Sequence, residues 1–217
     1  MNTNVARSYE MHRTISRAFP GSDDGGLGRV LFRVDTDSRG GNPVILVQSE
    51  IEPDRSNLHD GYLVRPAEFK PFAPVFANGQ KLRFRLRANP TKRVAAKNER
   101  LGSVMAGKRV GLATETEQIR WLLRKGETGG FEVPGVWVRA QRSQTEEPIE
   151  IPNFRVDVIP EGRARNDKAG HRDGSFVAIR FDGVLEVTNV DRFRETVFTG
   201  VGSAKGFGFG LLSVAPA

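Results

Sequence analysis

The order of helices and strands predicted from the sequence indicates an α+β protein built from two units with antiparallel sheets. The chain has 217 residues, enough for two domains that each bury a core. Its apolar patterns predict a helix and three strands, followed by a strand, a helix, strands, a helix and a last strand. Two consecutive ferredoxin-like units of roughly 100 residues each fit this order. We therefore expect an N-terminal domain over residues 1–92 and a C-terminal domain over residues 93–217.

The N-terminal half begins with a predicted helix over residues 9–19. Apolar residues recur there at the spacing of one helix face, and Ser8 is expected to cap its N-terminus. Strands are predicted at residues 29–34 and 43–50, on either side of a turn-rich segment. Residues 53–63 are predicted as a short helix or turn.

The clearest strand is KLRFRLRA, Lys81–Ala88, in which apolar residues alternate with three arginines. One face of this strand is therefore apolar and the other is charged. The arginine face fits either a solvated sheet face or the lining of an RNA groove. The polar, basic residues 91–107 are predicted as a loop or a connection between domains.

The C-terminal half begins with a strand in KRVGLAT. Thr114 and Glu117 resemble a capping box, which opens a predicted helix through Arg124 that ends at KGETGG. Further strands are predicted in VWVRAQ and FRVDVI. The dipeptide Asp182-Gly183 predicts the turn of a hairpin. Asp191 is expected to cap a short helix, and the chain ends in a strand.

Positive charge is concentrated in one part of the chain. The net charge is +7, and the segment Lys81–Arg109 holds ten basic residues against one acidic residue, Glu99. A concentrated basic surface favours an anionic partner, and nucleic acid is the usual one. The basic residues are Lys81, Arg83, Arg85, Arg87, Lys92, Arg93, Lys97, Arg100, Lys108 and Arg109.

Composition excludes several other classes of protein. The absence of cysteine rules out disulfides and thiol catalysis and is compatible with a reducing cytoplasm. No apolar run approaches the roughly 18 residues of a membrane span, and the N-terminus lacks a secretory signal. The three histidines lie far apart, so a structural zinc site is not expected. We expect a cytoplasmic protein with no membrane partner.

The stretch SYEMHRT places Tyr9 and His12 three residues apart near the start of the chain. On a helix, such side chains share a face and can approach one ligand. Histidine can act as acid or base near neutral pH, and the first helical turn favours an anion such as a phosphate. The same spacing is common where both residues only pack, so the spacing alone leaves both interpretations open.

Two further segments can be interpreted either as structural or as phosphate-binding. A glycine-rich segment over residues 200–210 contains Lys205 and lets backbone N–H groups approach phosphates, although it lacks the P-loop order. It could equally be a strained turn beside an edge strand. The stretch PEGRARNDKAGHRDG predicts a basic hairpin tip, which is either a flexible loop or a ribbon that enters a nucleic-acid groove.

Four segments together carry a resemblance to a known family. They are YEMHRTISRAFP, VILVQSEIEPDRSNL, KLRFRLRANPTKRV and GVGSAKGFGFGLLSVAP, in this order along the chain. In these segments the chain resembles the CRISPR-associated endoribonuclease CasE, the repeat-RNA processing subunit of the type I-E Cascade complex. The resemblance covers almost the whole chain, with a loose match over residues 125–175.

The resemblance implies two tandem ferredoxin-like domains and a metal-independent endoribonuclease that needs no cofactor. Its substrate would be the CRISPR repeat RNA hairpin, cut by attack of a 2′-hydroxyl to leave a 2′,3′-cyclic phosphate and a 5′-hydroxyl. The enzyme would then hold its product and join the other Cascade subunits.

Carried over residue by residue, the resemblance implies that Tyr9 and His12 are catalytic. His12 would be the general acid or base, and Tyr9 would orient the 2′-hydroxyl or support its deprotonation. Arg13 and Arg17, on the same helix, would neutralise the phosphate as charge develops.

The remaining RNA contacts implied by the resemblance come from the C-terminal half. The basic hairpin would enter the groove of the RNA stem, and the glycine-rich segment would support the RNA near the active site. The residues are Arg163, Arg165, Lys168, Lys205, Gly202 and Gly206.

One departure from the family concerns the N-terminus. Only MNTNVAR precedes Ser8, whereas a hydrophobic strand and a short basic loop precede this helix in the family. The first strand of a ferredoxin-like sheet is central, so we expect it to be missing and apolar surface to be exposed. Either the start codon was assigned too far downstream or the domain is incomplete.

Two other functions are open at this point. A non-catalytic repeat-RNA-binding or Cascade-scaffold protein would result if the missing strand disrupts the active site but spares hairpin binding. A tandem RNA-recognition module for single strands would need exposed aromatic residues on a sheet, whereas Phe84 lies on the expected core face.

Overall fold

The computed structural model describes residues 8–19, 29–35, 43–94, 96–98, 103–105, 109–140, 149–166 and 174–217. The helices in these ranges are α1 (Ser8–Arg17), α2 (Glu115–Gly129) and α3 (Val190–Thr199). The strands are β1 (Leu31–Asp35), β2 (Val44–Gln48), β3 (Lys81–Ala88), β4 (Thr91–Arg93), β5 (Ala96–Asn98), β6 (Ser103–Met105), β7 (Arg109–Gly111), β8 (Phe131–Glu132), β9 (Gly135–Ala140), β10 (Ile149–Phe154), β11 (Val156–Asn166), β12 (Gly174–Val187) and β13 (Leu212–Pro216). None of the helices described has the length and apolar character that a membrane crossing requires.

The N-terminal unit packs helix α1 on the antiparallel pair β1 and β2. Its small core contains Met11, Ile15 and Phe19, together with Phe32 of β1, and each of these side chains is buried. The predicted helix and the two predicted strands are therefore confirmed, because the apolar residues of each converge on one core.

Strand β2 carries exposed apolar side chains. Val44 is 62% exposed and Leu46 is 41% exposed. The expectation of a missing first strand concerns the chain before Ser8, which lies outside the described residues.

The larger sheet has the strand order β11-β12-β3-β13, and β8 pairs with the end of β12. All its pairings are antiparallel. Its apolar face packs against α2 and α3, as the alternation in β3 requires. The core between the sheet and these helices includes Leu82, Phe84, Leu86, Trp121, Leu122, Phe181, Phe193 and Val197.

Strand β3 lies between two strands of the C-terminal half. Leu86 is paired with Phe181 of β12 on one side and with Leu212 of β13 on the other. The strand thus shares a sheet with residues that follow the expected domain boundary. The division after residue 92 stays a prediction, and the strand pairing favours a division before Lys81.

Ion pairs cover the opposite face of β3. Arg85 forms a bidentate pair with Asp182, at 2.8 and 2.9 Å, and Arg87 lies 2.6 Å from Glu161. Arg83 donates to a backbone carbonyl at 3.0 Å. Because carboxylates of the same sheet neutralise Arg85 and Arg87, the structure favours the sheet-face interpretation of these arginines over an RNA groove.

Strand β12 runs unbroken from Gly174 to Val187, so the predicted Asp-Gly turn is wrong. Asp182 lies opposite Arg85 in the strand pairing, and their side chains are bonded. A Cβ on Gly183 would clash with the carbonyl oxygen of Arg155. Both residues therefore serve cross-strand packing, and the chain reverses instead between β11 and β12.

Helix α2 begins as predicted but ends later. The Glu117 N–H donates to Thr114 Oγ1 at 3.3 Å, which confirms the N-cap. The helix continues into the predicted stop KGETGG as far as Gly129 and is capped by Gly130, whose φ is 75°. Glycine is required within this last part of the helix, because a Cβ on Gly126 would clash with the carbonyl oxygen of Phe131.

Two further local predictions are corrected. Helix α3 is capped by Asn189, whose Oδ1 accepts from the Arg192 N–H at 3.0 Å, and not by Asp191. Asp191 lies in the first turn, where a carboxylate still complements the helix dipole. The predicted loop over residues 91–107 contains short strands, because β4 pairs with β7 and β5 with β6.

Arg33 joins strand β1 to the larger sheet. Its side chain is only 5% exposed and forms a bidentate pair with Asp35, at 2.8 and 3.0 Å. Its Nη1 also donates to Ser213 Oγ of β13 at 2.8 Å. Burial acts to raise the pKa of Asp35, but the bonded Arg33 and the nearby Arg85 outweigh burial and hold that pKa below its usual value.

We expect the substitution Arg33→Leu to lower the free energy of unfolding by about 3 kcal/mol. It removes the nearly buried guanidinium that binds Asp35 and Ser213 and leaves both without this partner. Urea unfolding at neutral pH, followed by circular dichroism, measures this change.

Lys92→Leu is the matched control, because the Lys92–Glu117 pair has side chains that are 55% and 36% exposed. It should cost less than about 1 kcal/mol. Equal stability of the Arg33→Leu protein and the wild type would show that this buried bridge does not hold the two sheets together.

Candidate active site

His12 lies where helix α1 meets the glycine-rich loop, which comprises residues 200–210. The side chain is half-buried, and the loop forms a 3-10 turn, Lys205–Phe207, beside it. A Cβ added to Gly206 would lie 3.6 Å from His12 Cε1, and the rings of His12 and Phe207 have centroids 6.3 Å apart. The imidazole is thus held between the helix and the loop while part of it faces solvent.

Backbone bonds fix the glycine-rich loop to the larger sheet. The Val201 N–H donates to the Gly210 carbonyl, and the Gly210 N–H donates to the Arg87 carbonyl, both at 2.8 Å. Gly202 has φ of 83°, and a Cβ there would lie 2.9 Å from the ring of Trp121. Gly202 therefore has a packing role, and its predicted contact with RNA stays a prediction.

Aromatic rings connect the loop to the sheet behind it. Phe207 packs against Phe176 with centroids 4.9 Å apart, and Phe176 packs against Phe209 at 5.8 Å. The guanidinium of Arg87 lies 4.4 Å from the centre of the Phe209 ring. His12 is thus supported by rings that continue to β3, so its position depends on the fold of the C-terminal sheet.

Burial lowers the pKa of His12 below the usual value of 6.5. Desolvation disfavours the charged imidazolium, so the ring is mainly neutral at neutral pH. The unfolded chain therefore binds this proton more readily than the folded one, so the folded state is progressively destabilised as the pH falls from 6.5 through the lowered pKa of His12. A neutral imidazole can accept a proton from a bound hydroxyl group.

The exposed side of α1 carries the other predicted residues of the helix. Arg13 and Arg17 are exposed and lie four residues apart, so they share one face. Helix α1 begins at Ser8, which places Tyr9 in the first turn and His12 at the start of the second. The side chain of Tyr9 lies outside the described residues, so its partnership with His12 stays a prediction.

Comparison with known proteins decides the family. A model described as CRISPR associated protein matches residues 2–216. The chain is 40% identical over 220 residues to the CRISPR-associated endoribonuclease Cse3 of Thermus thermophilus, covering 98% of this chain and 92% of that protein. It is 30% identical over 211 residues to the CRISPR system Cascade subunit CasE of Escherichia coli, covering 96% and 92%. The chain belongs to the CasE family of CRISPR-associated proteins.

A solved structure of the family has the same fold. It is the structure of Thermus thermophilus Cse3 bound to an RNA representing a pre-cleavage complex. The two chains share 39% identity and a TM-score of 0.76, over 98% of this chain and 91% of that one. The predicted α+β architecture of two tandem ferredoxin-like units with antiparallel sheets is thereby confirmed as the CasE-family fold.

Lys205 of this CasE-family chain is directed at the C-terminal end of α3. Its Nζ donates to the Thr199 carbonyl at 2.7 Å, and Arg29 Nη1 donates to the same oxygen at 2.9 Å. Burial, followed by the charges of Arg29 and Lys125, lowers the pKa of Lys205. Cations at a helix C-terminus complement its dipole, so Lys205 stabilises α3, and its predicted contact with RNA stays a prediction.

The predicted stem-binding hairpin consists of β11 and β12. Arg163 lies in β11 opposite Val177, next to a bulge, and its side chain is exposed. Arg165 lies in the same strand, but its side chain and the whole of Lys168 lie outside the described residues. Strand β11 contacts α1, so the hairpin lies beside the CasE-family helix.

Sequence reasoning missed two residues at this site. Phe207 lies against His12, and His59 Nε2 lies 2.5 Å from Arg17 Nη1. Phe207 lies between two glycines, in a segment whose sequence predicts a role only for backbone N–H groups. His59 is separated from Arg17 by 42 residues. No local sequence pattern predicts the contact of Phe207 with His12 or that of His59 with Arg17.

Among the residues described, no three His, Cys, Asp or Glu side chains cluster as metal ligands would.

We expect the His12 imidazole to titrate below pH 6.5, and the substitution Phe207→Ala to move its midpoint upward, because the ring becomes better hydrated. Proton NMR of the Cε1–H resonance, assigned with the His12→Gln protein, measures both midpoints.

Phe72→Ala serves as the control, because it removes a ring that packs on Phe198 and not on His12. This variant should leave the His12 midpoint unchanged. A midpoint at or above 6.5 that does not respond to Phe207→Ala would contradict the role of burial in setting this pKa.

Proposed function

We propose that this chain is a CRISPR repeat-RNA endoribonuclease that cleaves RNA by attack of a 2′-hydroxyl, without a metal ion or cofactor. The placement of half-buried His12 against the glycine-rich loop, in a chain of the CasE family, carries this proposal. The name of the Thermus thermophilus relative and its complex with RNA support the same activity.

The reaction needs no nucleophile from the protein. The 2′-oxygen forms a bond to the adjacent phosphorus, the bond from phosphorus to the 5′-oxygen breaks, and a cyclic phosphate remains. The proton of the 2′-hydroxyl passes to a base, and the departing 5′-oxygen takes up a proton. Since the lowered pKa of His12 keeps it mainly neutral, we assign His12 as the group that receives the 2′-hydroxyl proton.

The same helix supplies the charge for the phosphate. Tyr9, one turn before His12, orients the 2′-hydroxyl or supports its deprotonation. Arg13 and Arg17 lie on the exposed face of α1, where their charges stabilise the negative charge that develops on the phosphate oxygens.

The rest of the RNA lies along the C-terminal half. The β11–β12 hairpin enters the groove of the repeat stem, and the glycine-rich loop lies under the RNA near the scissile phosphate. The residues are Arg163, Arg165, Lys168, Lys205, Gly202 and Gly206. The enzyme keeps its product in the cytoplasm and joins the other Cascade subunits. The name of the Escherichia coli relative, a Cascade subunit, supports the last of these statements.

A module for single-stranded RNA fits the structure less well. Such modules stack bases on aromatic residues exposed on a sheet. Phe84 of β3 is only 4% exposed, and the opposite face of this strand carries ion-paired arginines.

We expect the wild type to cleave a repeat hairpin in EDTA, and not to cleave the same hairpin with a 2′-deoxy nucleotide at the cut site. His12→Ala should slow single-turnover cleavage by about 10²–10⁴-fold, the usual contribution of a general acid or base. Gel separation of the RNA products measures the rates, and retention of the deoxy hairpin on a filter measures its Kd.

Arg120→Ala is the control for cleavage, because Arg120 lies outside the basic segment 81–109 and pairs with Glu150 and the ring of Trp137. Strict dependence on magnesium, or cleavage of the deoxy hairpin, would overturn the mechanism. Tight hairpin binding by the wild type without any product would favour the non-catalytic, scaffold function instead.

A further inference from the structure

His59 is bonded to Arg17 although nothing in the proposed chemistry requires it. The distance between Arg17 Nη1 and His59 Nε2 is 2.5 Å, and both side chains are exposed on the side of α1 that carries Arg13. An exposed arginine on a helix can adopt many side-chain conformations. A specific bond between two exposed side chains therefore needs an explanation.

The segment that carries His59 is bound to α1 on both sides of this residue. The Asp54 N–H donates to the Ala18 carbonyl at the end of α1, at 2.6 Å. The Tyr62 hydroxyl lies 3.4 Å from Met11 Sδ, and the Tyr62 N–H donates to the His59 carbonyl at 3.1 Å. Because anchors precede and follow it, His59 is held at a fixed place beside the helix.

The chemistry of the two groups fixes the direction of the bond. A guanidinium has only donors, so Arg17 donates and His59 Nε2 accepts, with the ring hydrogen on Nδ1. The acceptor is uncharged, so it orients the guanidinium without neutralising it. An aspartate or glutamate would orient Arg17 but would cancel the charge that a phosphate needs.

We propose that His59 is a positioning residue that holds the guanidinium of Arg17 toward the scissile phosphate. The proposal rests on the function proposed above, since it assumes that Arg17 meets RNA. His59 binds Nη1 of Arg17, and the other N–H groups of this guanidinium can then bind phosphate oxygens. His59 itself acts through Arg17 and is not assigned a contact with the reacting atoms.

The test combines substitutions at both positions with two readouts. His59→Leu should slow single-turnover cleavage of the repeat hairpin about tenfold, the size expected from losing one orienting bond to a charged group. The Kd of the 2′-deoxy hairpin should change less than about twofold. His59→Gln, whose amide oxygen can replace Nε2 as acceptor, should restore most of the rate.

Two further variants separate positioning from a structural effect. Asn57→Leu removes a side-chain bond to Asp54 in the same segment without touching Arg17, and it should cleave like the wild type. In the background of Arg17→Leu, the change His59→Leu should have no additional effect on the rate.

The outcomes distinguish this inference from the proposed function. Failure of the wild type to cleave overturns both. Normal cleavage by wild type and slow cleavage by Arg17→Leu, with His59→Leu as fast as wild type, overturns the role of His59 alone. Equal slowing by His59→Leu with and without Arg17, or no rescue by glutamine, also overturns positioning through Arg17.

Discussion

The packing of helix α1 against the glycine-rich loop is the contact on which the site depends. His12 comes from the N-terminal unit, and the residues that half-bury it, Gly206 and Phe207, come from the last strand connection of the C-terminal unit. Neither unit alone would bury the imidazole or lower its pKa. The acid-base chemistry proposed for His12 is therefore a property of the two packed units together.

Charge pairing on the sheet keeps that contact in place. Arg33 ties β1 to β13, and the bonds of Arg85 and Arg87 to carboxylates neutralise the face on which β1 lies. Nearly buried ion pairs add little net stability, but breaking one is costly, so they specify how the units meet. The cations that we propose for RNA contact are instead on α1 and on the β11–β12 hairpin, and strand β11 contacts α1.

Local patterns predicted the elements better than their connections. The alternation in β3 and the cap at Thr114 depend on neighbouring residues, and the structure confirms both. The turn predicted at Asp182-Gly183 failed because the partner Arg85 and the close approach of Arg155 favour an extended strand there. His12 could be named from its motif and family. The contacts of Phe207 with His12 and of His59 with Arg17 depend on tertiary packing, so neighbouring residues in the sequence do not predict them.

A series of substitutions at Gly206 tests the central contact most directly. A Cβ there meets His12 at an ordinary contact distance of 3.6 Å, so Gly206→Ala should cleave the repeat hairpin at nearly the wild-type rate. Gly206→Leu is expected to displace the imidazole, so its single-turnover rate at saturating enzyme should fall about 10²-fold. A leucine variant that cleaves as fast as the wild type would contradict this dependence, because His12 would then not need the loop.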